Sequence, residues 1–305
     1  MQKQKTAIII AGPTAVGKTK VAIDVAKQLG TEIISADSRQ CYQELNIGVA
    51  RPSKTELQEV PHHFIASHSI LEKITAAVFE QWAIEKIHGL FKKFDTVVLT
   101  GGTGLYLQAF CEGFDAVPAV PENVRQELTE SYKNKGLAWL QQQVQQQDPL
   151  FYAKGEIQNP QRLLRALEVI TATGTSIETF KRGEKKTRAF KIVKTALYLP
   201  KETLHQNISH RVAVMMQSGL IDEVRGLLLF KQFNALQTVG YKEMFAYLDG
   251  HLNLDEAIEA IKRNTRHYAK RQLTWFKKDP AYHWFLPDAS QLMHFIKSSV
   301  DTGTN

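Results

Sequence analysis

The chain has 305 residues, 43% of them hydrophobic and 23% charged, with two cysteines and a formal net charge of +7. This length and composition predict about two globular domains, or one domain with a large insertion, and exclude a disulfide framework or a four-cysteine zinc site. Basic residues concentrate in residues 181–194 and 262–278, so an acidic partner such as a nucleic acid would meet the second half of the chain.

The apolar run at residues 7–11 is the longest near the N-terminus, and it is too short to span a membrane. It also lacks the basic flank and the cleavage pattern of a signal peptide. We therefore expect a cytoplasmic protein without a membrane partner, and we expect it to act as a monomer.

The first third of the chain alternates short β-branched runs with amphipathic stretches. Strands that alternate with helices form parallel sheets, so the expected fold class is α/β, a parallel sheet with helices on both faces. The pattern predicts strands at residues 6–11, 32–35 and 95–100 and helices at 18–29, 76–91 and 105–110.

The composition changes at Val117, where the sequence Val-Pro-Ala-Val-Pro predicts a linker. The residues that follow are rich in glutamine and in charge, which predicts a helical insertion domain at 117–190. Residues 1–116 and 191–305 then form the core domain.

Three more elements are predicted after the linker. Inside the insertion, a helix has Asn159 as its N-cap, begins at Pro160 and ends at Gly174. A strand at 192–199 returns to the main sheet. The rest of the chain is predicted to be helical and includes a long helix capped by Asn253.

A phosphate-binding loop is predicted between the first strand and the first helix, where residues 12–19 match the pattern G-x-x-x-x-G-K-[ST]. Backbone N–H groups of such a loop surround a polyphosphate, Lys18 neutralises its oxygens, and the Thr19 hydroxyl can hold Mg²⁺. The expected sheet is therefore like that of P-loop NTPases. The predicted diphosphate- or nucleotide-binding residues are Gly12, Pro13, Thr14, Ala15, Val16, Gly17, Lys18 and Thr19.

No acid follows the predicted strand at 95–100, although P-loop NTPases often hold Mg²⁺ with a carboxylate at that place. The strand leads instead into Gly101, Gly102 and Thr103, whose amides and hydroxyl can approach a ligand. A tight turn without a ligand explains the same glycines. The pattern disfavours a standard ATPase.

Asp37 follows the second predicted strand, and ligands of open α/β sheets lie beyond the carboxyl ends of strands. A carboxylate there can take a proton from a nucleophile, or it can bind Mg²⁺ through water. A helix N-cap is an equally good explanation of its position.

Six further segments accompany the phosphate loop in a fixed order. They are residues 34–40 (ISADSRQ), 47–48 (IG), 61–63 (PHH), 101–106 (GGTGLY), 162–169 (RLLRALEV) and 239–241 (VGY). From about residue 6 to about residue 275, the chain resembles the bacterial tRNA dimethylallyltransferases, and several of these segments are rare outside that family.

The resemblance implies a reaction with Mg²⁺ as cofactor. A dimethylallyl group moves from dimethylallyl diphosphate to the N6 amine of the adenosine on the 3′ side of the anticodon in a tRNA anticodon stem-loop. The phosphate loop would hold the diphosphate, and a carbon–oxygen bond would break instead of a phosphorus–oxygen bond. The target base would leave the stack of the loop to reach the site.

The resemblance also implies roles for particular residues. Asp37 matches the general base, Lys18 and Arg211 would lie at the diphosphate, and Thr103 would lie near the reacting centre. Contacts with tRNA are implied for Asp37, Ser38, Arg39, Gln40, Thr103, Arg125, Gln161, Arg162, Leu163, Leu164, Arg165, Gln237, Thr238, Val239, Gly240, Tyr241, Lys242, Lys270, Arg271 and Gln272.

Four cations form what we call the basic stripe on one side of the last long predicted helix: Arg263, Arg266, Lys270 and Arg271. The stripe predicts an electrostatic contact with RNA, although a solvated helix face has the same pattern. Tyr241 and Trp275 can stack on bases, but aromatic residues at helical spacing lie more often in a core.

Two positions depart from the family pattern. Ala66 stands where the family usually has aspartate after the histidine pair His62 and His63, and Asn207 stands where many members have arginine. One cation near the diphosphate is therefore expected to be missing. The two histidines have no ligand partner at suitable spacing, so local hydrogen bonding is expected for them.

Three rival functions remain open at this point. A small-molecule kinase would use the same loop with ATP, but the missing acid after the third strand opposes it. Prenylation of free adenine nucleotides is opposed by the helical insertion and the basic C-terminal helices. The third rival is an RNA-binding module without enzymatic activity.

Overall fold

A computed structural model of the chain describes residues 4–115, 117–181, 183 and 185–301. The chain divides into two compact units: a core of Met1–Glu112 with Thr187–Asn305, and an insertion of Gly113–Lys186. None of the described helices is both long and apolar enough to cross a membrane.

The insertion begins at residue 113 instead of the predicted 117 and ends at 186 instead of 190. Residues 187–190 belong to the core because the Arg188 guanidinium donates hydrogen bonds to the carbonyl oxygens of Phe110 and Ala109, both at 2.8 Å. It also pairs with the carboxylate of Glu80 at 2.9 Å. A buried cation that holds the end of a helix cannot be recognised from composition alone.

Six strands in the described residues form one parallel sheet in the order β3-β2-β4-β1-β5-β6. Since neighbouring strands are parallel, the carboxyl ends of β1, β2 and β4 lie at one edge of the sheet. The strands are β1 (Thr6–Ala11), β2 (Ile33–Ser35), β3 (His62–His63), β4 (Thr96–Gly101), β5 (Lys191–Leu197) and β6 (His283–Phe285).

Helices cover the sheet and build the insertion. Those of the core are α1 (Lys18–Leu29), α2 (Lys54–Glu59), α3 (Ala76–Leu90), α4 (Gly104–Glu112), α9 (Lys201–Gln217), α10 (Leu220–Gly226), α11 (Tyr241–Leu248), α12 (Leu254–Phe276) and α13 (Ala289–Asp301). Those of the insertion are α5 (Glu122–Gln147, interrupted at Gly136), α6 (Pro149–Lys154), α7 (Pro160–Thr173) and α8 (Ile177–Phe180).

The central strand β1 is apolar from Ala7 to Ala11 because both of its faces are covered. Ala7 and Ile9 face one hydrophobic cluster of the core, whereas Ile8 and Ile10 face the other. All four are fully buried, so no polar residue interrupts the strand before the loop that begins at Gly12.

The strand predicted at 6–11 and the helix predicted at 18–29 are confirmed without a shift. The prediction that the chain after β5 is entirely helical is wrong, because β6 pairs with β5 and places His283 opposite Thr195. The edge strand β3 was not predicted either. Neither stretch has the β-branched residues that made the equally short β2 predictable, so pairing with a distant neighbour defines them.

Of the histidine pair, His62 makes the expected local hydrogen bond, whereas His63 bonds to a residue distant in the chain. His62 bonds through Nδ1 to the carbonyl oxygen of Val60 at 2.7 Å, and His63 bonds through Nε2 to the carboxylate of Glu32 at 2.6 Å. The described residues contain no cluster of three His, Cys, Asp or Glu side chains that could hold a metal ion.

The insertion has a hydrophobic cluster of its own around α5, α6 and α7. The predicted helix α7 is confirmed: Asn159 accepts hydrogen bonds from the backbone N–H groups of Gln161 and Arg162, and Gly174 ends the helix with φ 67°. Leu163 is fully buried in this cluster.

Ala66 lies in the left-handed region with φ 47°, a conformation that costs L-residues energy and that asparagine tolerates better. We expect Ala66→Asn to raise the free energy of unfolding by about 0.5 to 1 kcal/mol. The matched control is Ala77→Asn, an exposed position inside α3, where asparagine should lower it by about 0.5 kcal/mol. Urea unfolding measures both, and destabilisation at position 66 would contradict the prediction.

Candidate active site

Three loops meet at the carboxyl edge of the sheet. The first follows β1 at residues 12–17, the second follows β2 at 36–40, and the third follows β4 at 102–103. This edge is where open parallel sheets bind their ligands, so the predicted phosphate loop, Asp37 and the second glycine turn belong to one site.

The backbone of the first loop is shaped to receive an anion. Gly12, Ala15 and Gly17 have φ values of 145°, 65° and 98°, and positive φ values of this kind occur in the backbone concavities that bind anions. A Cβ at Gly12 would lie 2.8 Å from the carbonyl oxygen of Leu197, so only glycine fits there. Helix α1 starts at Lys18, and its N-terminus adds positive potential to the loop.

Two cations lie in this loop region. The Lys18 ammonium donates to the carbonyl oxygen of Pro13 at 2.7 Å, and the Arg211 guanidinium, from α9, donates to the Thr14 hydroxyl at 3.1 Å. Burial and the charge of Arg211 lower the pKa of Lys18 to about 7, while Asp37 opposes the shift. Burial also lowers the pKa of Arg211, again opposed by Asp37. An anion bound here would stabilise the charged forms of both side chains.

Asn207, the departure from the family pattern, contributes a hydrogen bond and no charge. Its side-chain amide donates to the carbonyl oxygen of Ala15 at 3.2 Å. Since Ala15 is a residue with positive φ, this contact helps to hold the loop in its turned conformation. Arg211 lies one turn further along α9 and supplies the cation.

Asp37 uses one carboxylate oxygen locally. Its Oδ1 accepts hydrogen bonds from the backbone N–H groups of Arg39 at 2.9 Å and of Gln40 at 3.2 Å, so it stabilises a turn; no helix begins there, and the helix N-cap that the sequence left open is not formed. Within the described residues Oδ2 makes no hydrogen bond, so this oxygen can accept a proton. The carboxylate is near enough to Lys18 and Arg211 to influence both pKa values.

The second glycine turn is tied to the Asp37 loop. The Thr103 hydroxyl accepts from the backbone N–H of Ser38 at 3.0 Å and lies 3.3 Å from the Ser38 hydroxyl. A Cβ at Gly101 would lie 2.2 Å from the carbonyl oxygen of Ala36, so this glycine permits the close approach of the two loops. Thr103 therefore lies beside Asp37, as predicted.

Tyr268, from α12, also belongs to this site, although the sequence offered no signal for it. Burial, with the charge of Asp37, raises the pKa of its phenol to about 12, which places Tyr268 near that carboxylate. At neutral pH it is therefore a protonated phenol near the carboxylate of Asp37.

Gln272 was expected to contact RNA, and the structure corrects this. Its side chain is only 6% exposed, and its oxygen accepts from the Thr14 N–H at 2.8 Å while its amide donates to the Gly102 carbonyl at 2.8 Å. The carboxamide therefore links the first loop, through its oxygen, to the third loop, through its nitrogen. Although Gln272 follows the basic stripe directly in the sequence, its side chain points into the protein.

The segment 237–242 is only partly accessible. Tyr241 is fully buried, and its hydroxyl donates to Glu223 at 2.6 Å, so its ring belongs to the core and cannot stack on a base. Gly240 is buried as well, whereas Gln237 and Lys242 are exposed. The prediction of an RNA contact therefore stands for the ends of the segment, not for the Tyr241 side chain.

Arg39 and Gln40 make contacts within the core. Arg39 donates to the carbonyl oxygen of Asn234 at 2.9 Å, and the Gln40 amide donates to the carbonyl oxygens of Val49 at 3.2 Å and Ala50 at 2.9 Å. The Gln40 side chain thus holds the loop that follows it.

Two predicted residues of the insertion, Arg125 and Arg165, contact the buried carboxylate of Glu168. Arg125 forms a two-pronged contact with Glu168 at 3.2 and 3.3 Å, and Arg165 reaches the same carboxylate at 3.3 Å. Arg162 pairs with Glu156 at 2.8 Å. Gln161 is exposed, whereas the buried Leu163 is a core residue and not an RNA contact.

The remaining predicted residues are on the outside of α12. Arg263, Lys270 and Arg271 are exposed, so the basic stripe faces solvent. Arg271 also lies over the ring of Tyr268 at 5.8 Å, which joins the stripe to the site.

Residues 40–279 match the family model of the IPP transferases. The chain is 44% identical over 297 residues to a tRNA dimethylallyltransferase of Christiangramia forsetii, with 97% of this chain and 98% of the relative covered. A full-length tRNA isopentenylpyrophosphate transferase from Bacillus halodurans has a similar structure, with a TM-score of 0.73, 35% identity and 98% of both chains covered.

A second similar structure is a eukaryotic dimethylallyltransferase solved as it acts on tRNA, with a TM-score of 0.72 and 27% identity over 89% of this chain and 70% of that one. The fold class and the P-loop-like sheet predicted from sequence agree with these neighbours. The family model matches most of the chain, and the alignment with the relative covers nearly its full length. This chain therefore belongs to the IPP transferase family.

Proposed function

We propose that this chain transfers the dimethylallyl group of dimethylallyl diphosphate to the N6 amine of the adenosine on the 3′ side of the anticodon in tRNA. One observation carries the proposal: two half-buried basic side chains, Lys18 and Arg211, lie at the same sheet edge as the carboxylate of Asp37. The reaction belongs in the cytoplasm with tRNA. All residues of the proposed centre come from one chain, so a monomer suffices.

The cations serve the leaving group. The bond between the allylic carbon and the diphosphate oxygen breaks, and its electron pair leaves with the diphosphate. Lys18, Arg211 and backbone amides of the first loop stabilise the charge that develops there. These groups are preorganised, because Gly12, Asn207 and Gln272 hold the loop before a donor binds.

The carboxylate serves the nucleophile. The exocyclic amine of adenine is weakly nucleophilic because its lone pair is delocalised into the ring. As the new carbon–nitrogen bond forms, N6 loses a proton, and Oδ2 of Asp37 accepts it. Thr103 and Tyr268 lie beside this carboxylate and can orient the base.

Mg²⁺ fits this site only together with the donor. The described residues hold no cage of three acidic or histidine side chains, whereas Mg²⁺ commonly uses one or two protein oxygens, phosphate oxygens and water. The Thr19 hydroxyl would hold it, with Asp37 through water. Bound there, Mg²⁺ supplies further neutralisation of the diphosphate charge.

The basic stripe supplies the contact with RNA in this proposal. Phosphate contacts position a nucleic acid without reading its sequence, and their contribution weakens with added salt. Exposed Arg263, Lys270 and Arg271 suit this role.

The proposed function is tested by mass spectrometry after incubation of the chain with dimethylallyl diphosphate, Mg²⁺ and unmodified tRNA. We expect one dimethylallyl group on the adenosine next to the anticodon. Parallel incubations with AMP, and with ATP labelled in the γ-phosphate, examine the two enzymatic rivals. Prenylation of AMP in preference to tRNA, or transfer of phosphate, would overturn the proposal.

A further inference from the structure

Helix α12 rests directly on the second glycine turn. A Cβ at Gly102 would lie 2.2 Å from the Gln272 side-chain nitrogen, and a Cβ at Gly104 would lie 2.2 Å from Cδ1 of Trp275. The glycines of this turn are therefore needed for the approach of a helix, whatever ligand the turn also meets. Gln272 and Trp275 are three residues apart, so they share one face of α12.

Gln272 is the link between the loop at the donor and the loop at the acceptor. On one side it holds the peptide N–H of Thr14, the residue whose hydroxyl binds Arg211. On the other side it holds the carbonyl of Gly102, next to Thr103, which binds the Asp37 loop. Every donor and acceptor in these contacts is matched, and the carboxamide is buried.

We propose that Gln272 is a positioning residue that fixes the distance between the diphosphate loop and the Asp37–Thr103 pair, and so aligns the allylic carbon with the incoming amine. The proposal rests on the function proposed above. Transfer requires the two reactants in a near-attack geometry, and a misplacement of about 1 Å can lower the rate by about 100-fold. A contact to RNA would instead affect binding.

The basic stripe and Gln272 are on the same helix, α12. Arg271 and Lys270 belong to the basic stripe, and Gln272 follows them directly in the chain. Consequently one helix presents cations to solvent on one face and joins the two loops on the other. The same helix would then position both the RNA bound to the stripe and the two loops that Gln272 aligns.

The variant Gln272→Met keeps the length of the side chain and removes both hydrogen bonds. We expect kcat for transfer to tRNA to fall by about 100-fold, with the affinity for tRNA unchanged in a direct binding assay. Gln291→Met, an exposed position on α13, is the matched control and should behave as wild type. Thermal unfolding reports whether each variant is folded, and kcat is expressed per folded protein.

The variant Gln272→Glu provides a readout that loss of packing cannot mimic. A protonated carboxyl reproduces both hydrogen bonds of glutamine, whereas a carboxylate repels the Gly102 carbonyl. Burial raises the pKa of such a carboxyl, so the protonated form persists at low pH and is lost as pH rises. Lys18, Arg211 and Asp37 are present in both the variant and the wild type. The ratio of variant to wild-type kcat is therefore measured, because it cancels the titration of these shared groups.

We expect this ratio to be highest near pH 6 and to fall toward pH 9, with Gln272→Met low throughout. A wild-type kcat in Gln272→Met, lost tRNA affinity with kcat retained, or a flat ratio for Gln272→Glu each overturns the positioning role. In those cases the wild-type chain still prenylates tRNA. A wild-type chain that prenylates nothing overturns the proposed function as well, so the two failures are distinct.

Discussion

Asp37→Asn is expected to lower kcat by about 10²- to 10⁴-fold, the range that a positioned general base contributes. Asparagine keeps the side-chain oxygen that accepts from the N–H groups of Arg39 at 2.9 Å and Gln40 at 3.2 Å, so the turn should remain formed. What the variant loses is the capacity to take a proton from N6. Single-turnover transfer of a labelled dimethylallyl group to unmodified tRNA measures the effect.

Two comparisons separate this chemical loss from a loss of binding. The tRNA affinity of Asp37→Asn should equal that of the wild type, because the basic stripe is untouched. Asp222→Asn, on the exposed surface of α10, makes the same change of charge and should leave kcat as it is. If Asp37→Asn turned over like the wild type, Asp37 would not be the base.

The parts of this site that sequence could predict are those encoded by neighbouring residues. The first loop is one continuous pattern between an apolar strand and a helix, and Asn159, Pro160 and Gly174 mark the ends of α7 by their own backbone preferences. The place of Asp37 also followed, since parallel strands bring their carboxyl ends together.

The parts that sequence could not predict depend on residues far apart in the chain. Gln272 and Thr14 are 258 positions apart, and no local pattern indicates that they are bonded. Tyr241 illustrates the opposite error: its motif matches a family contact segment, but its ring fills a cavity beside Gly48, where a Cβ would lie 2.5 Å away. Family motifs therefore mark a region of the site better than they mark the side chains that reach the ligand.

Lys18→Met is the second large effect, and we expect it to reduce transfer by about 10²- to 10³-fold through lost stabilisation of the leaving group. Lys20→Met, an exposed residue of the same helix, is the matched control and should retain activity. Steady-state transfer at saturating tRNA measures both. A variant at Lys18 with undiminished turnover would contradict the role of this ammonium.

The lowered pKa of Lys18 allows its role to be tested in a binding experiment, without measuring catalysis. In the free protein burial and Arg211 hold this pKa at about 7, far below the ordinary 10.5 of lysine. A diphosphate beside the amine favours its charged form and so raises the pKa. Above pH 7 the free protein holds mostly neutral Lys18 while the complex holds the ammonium, so binding must take up a proton.

We therefore expect the affinity for inorganic pyrophosphate to fall as pH rises above 7, with proton uptake that approaches one per site near pH 8. Calorimetry in buffers of different ionisation enthalpy measures this uptake. Pyrophosphate itself titrates in the same range, so the informative quantity is the difference between wild type and Lys18→Met. Equal uptake by both proteins would mean that Lys18 is already charged in the empty site, and the loop would then owe its strength to its backbone amides and Arg211.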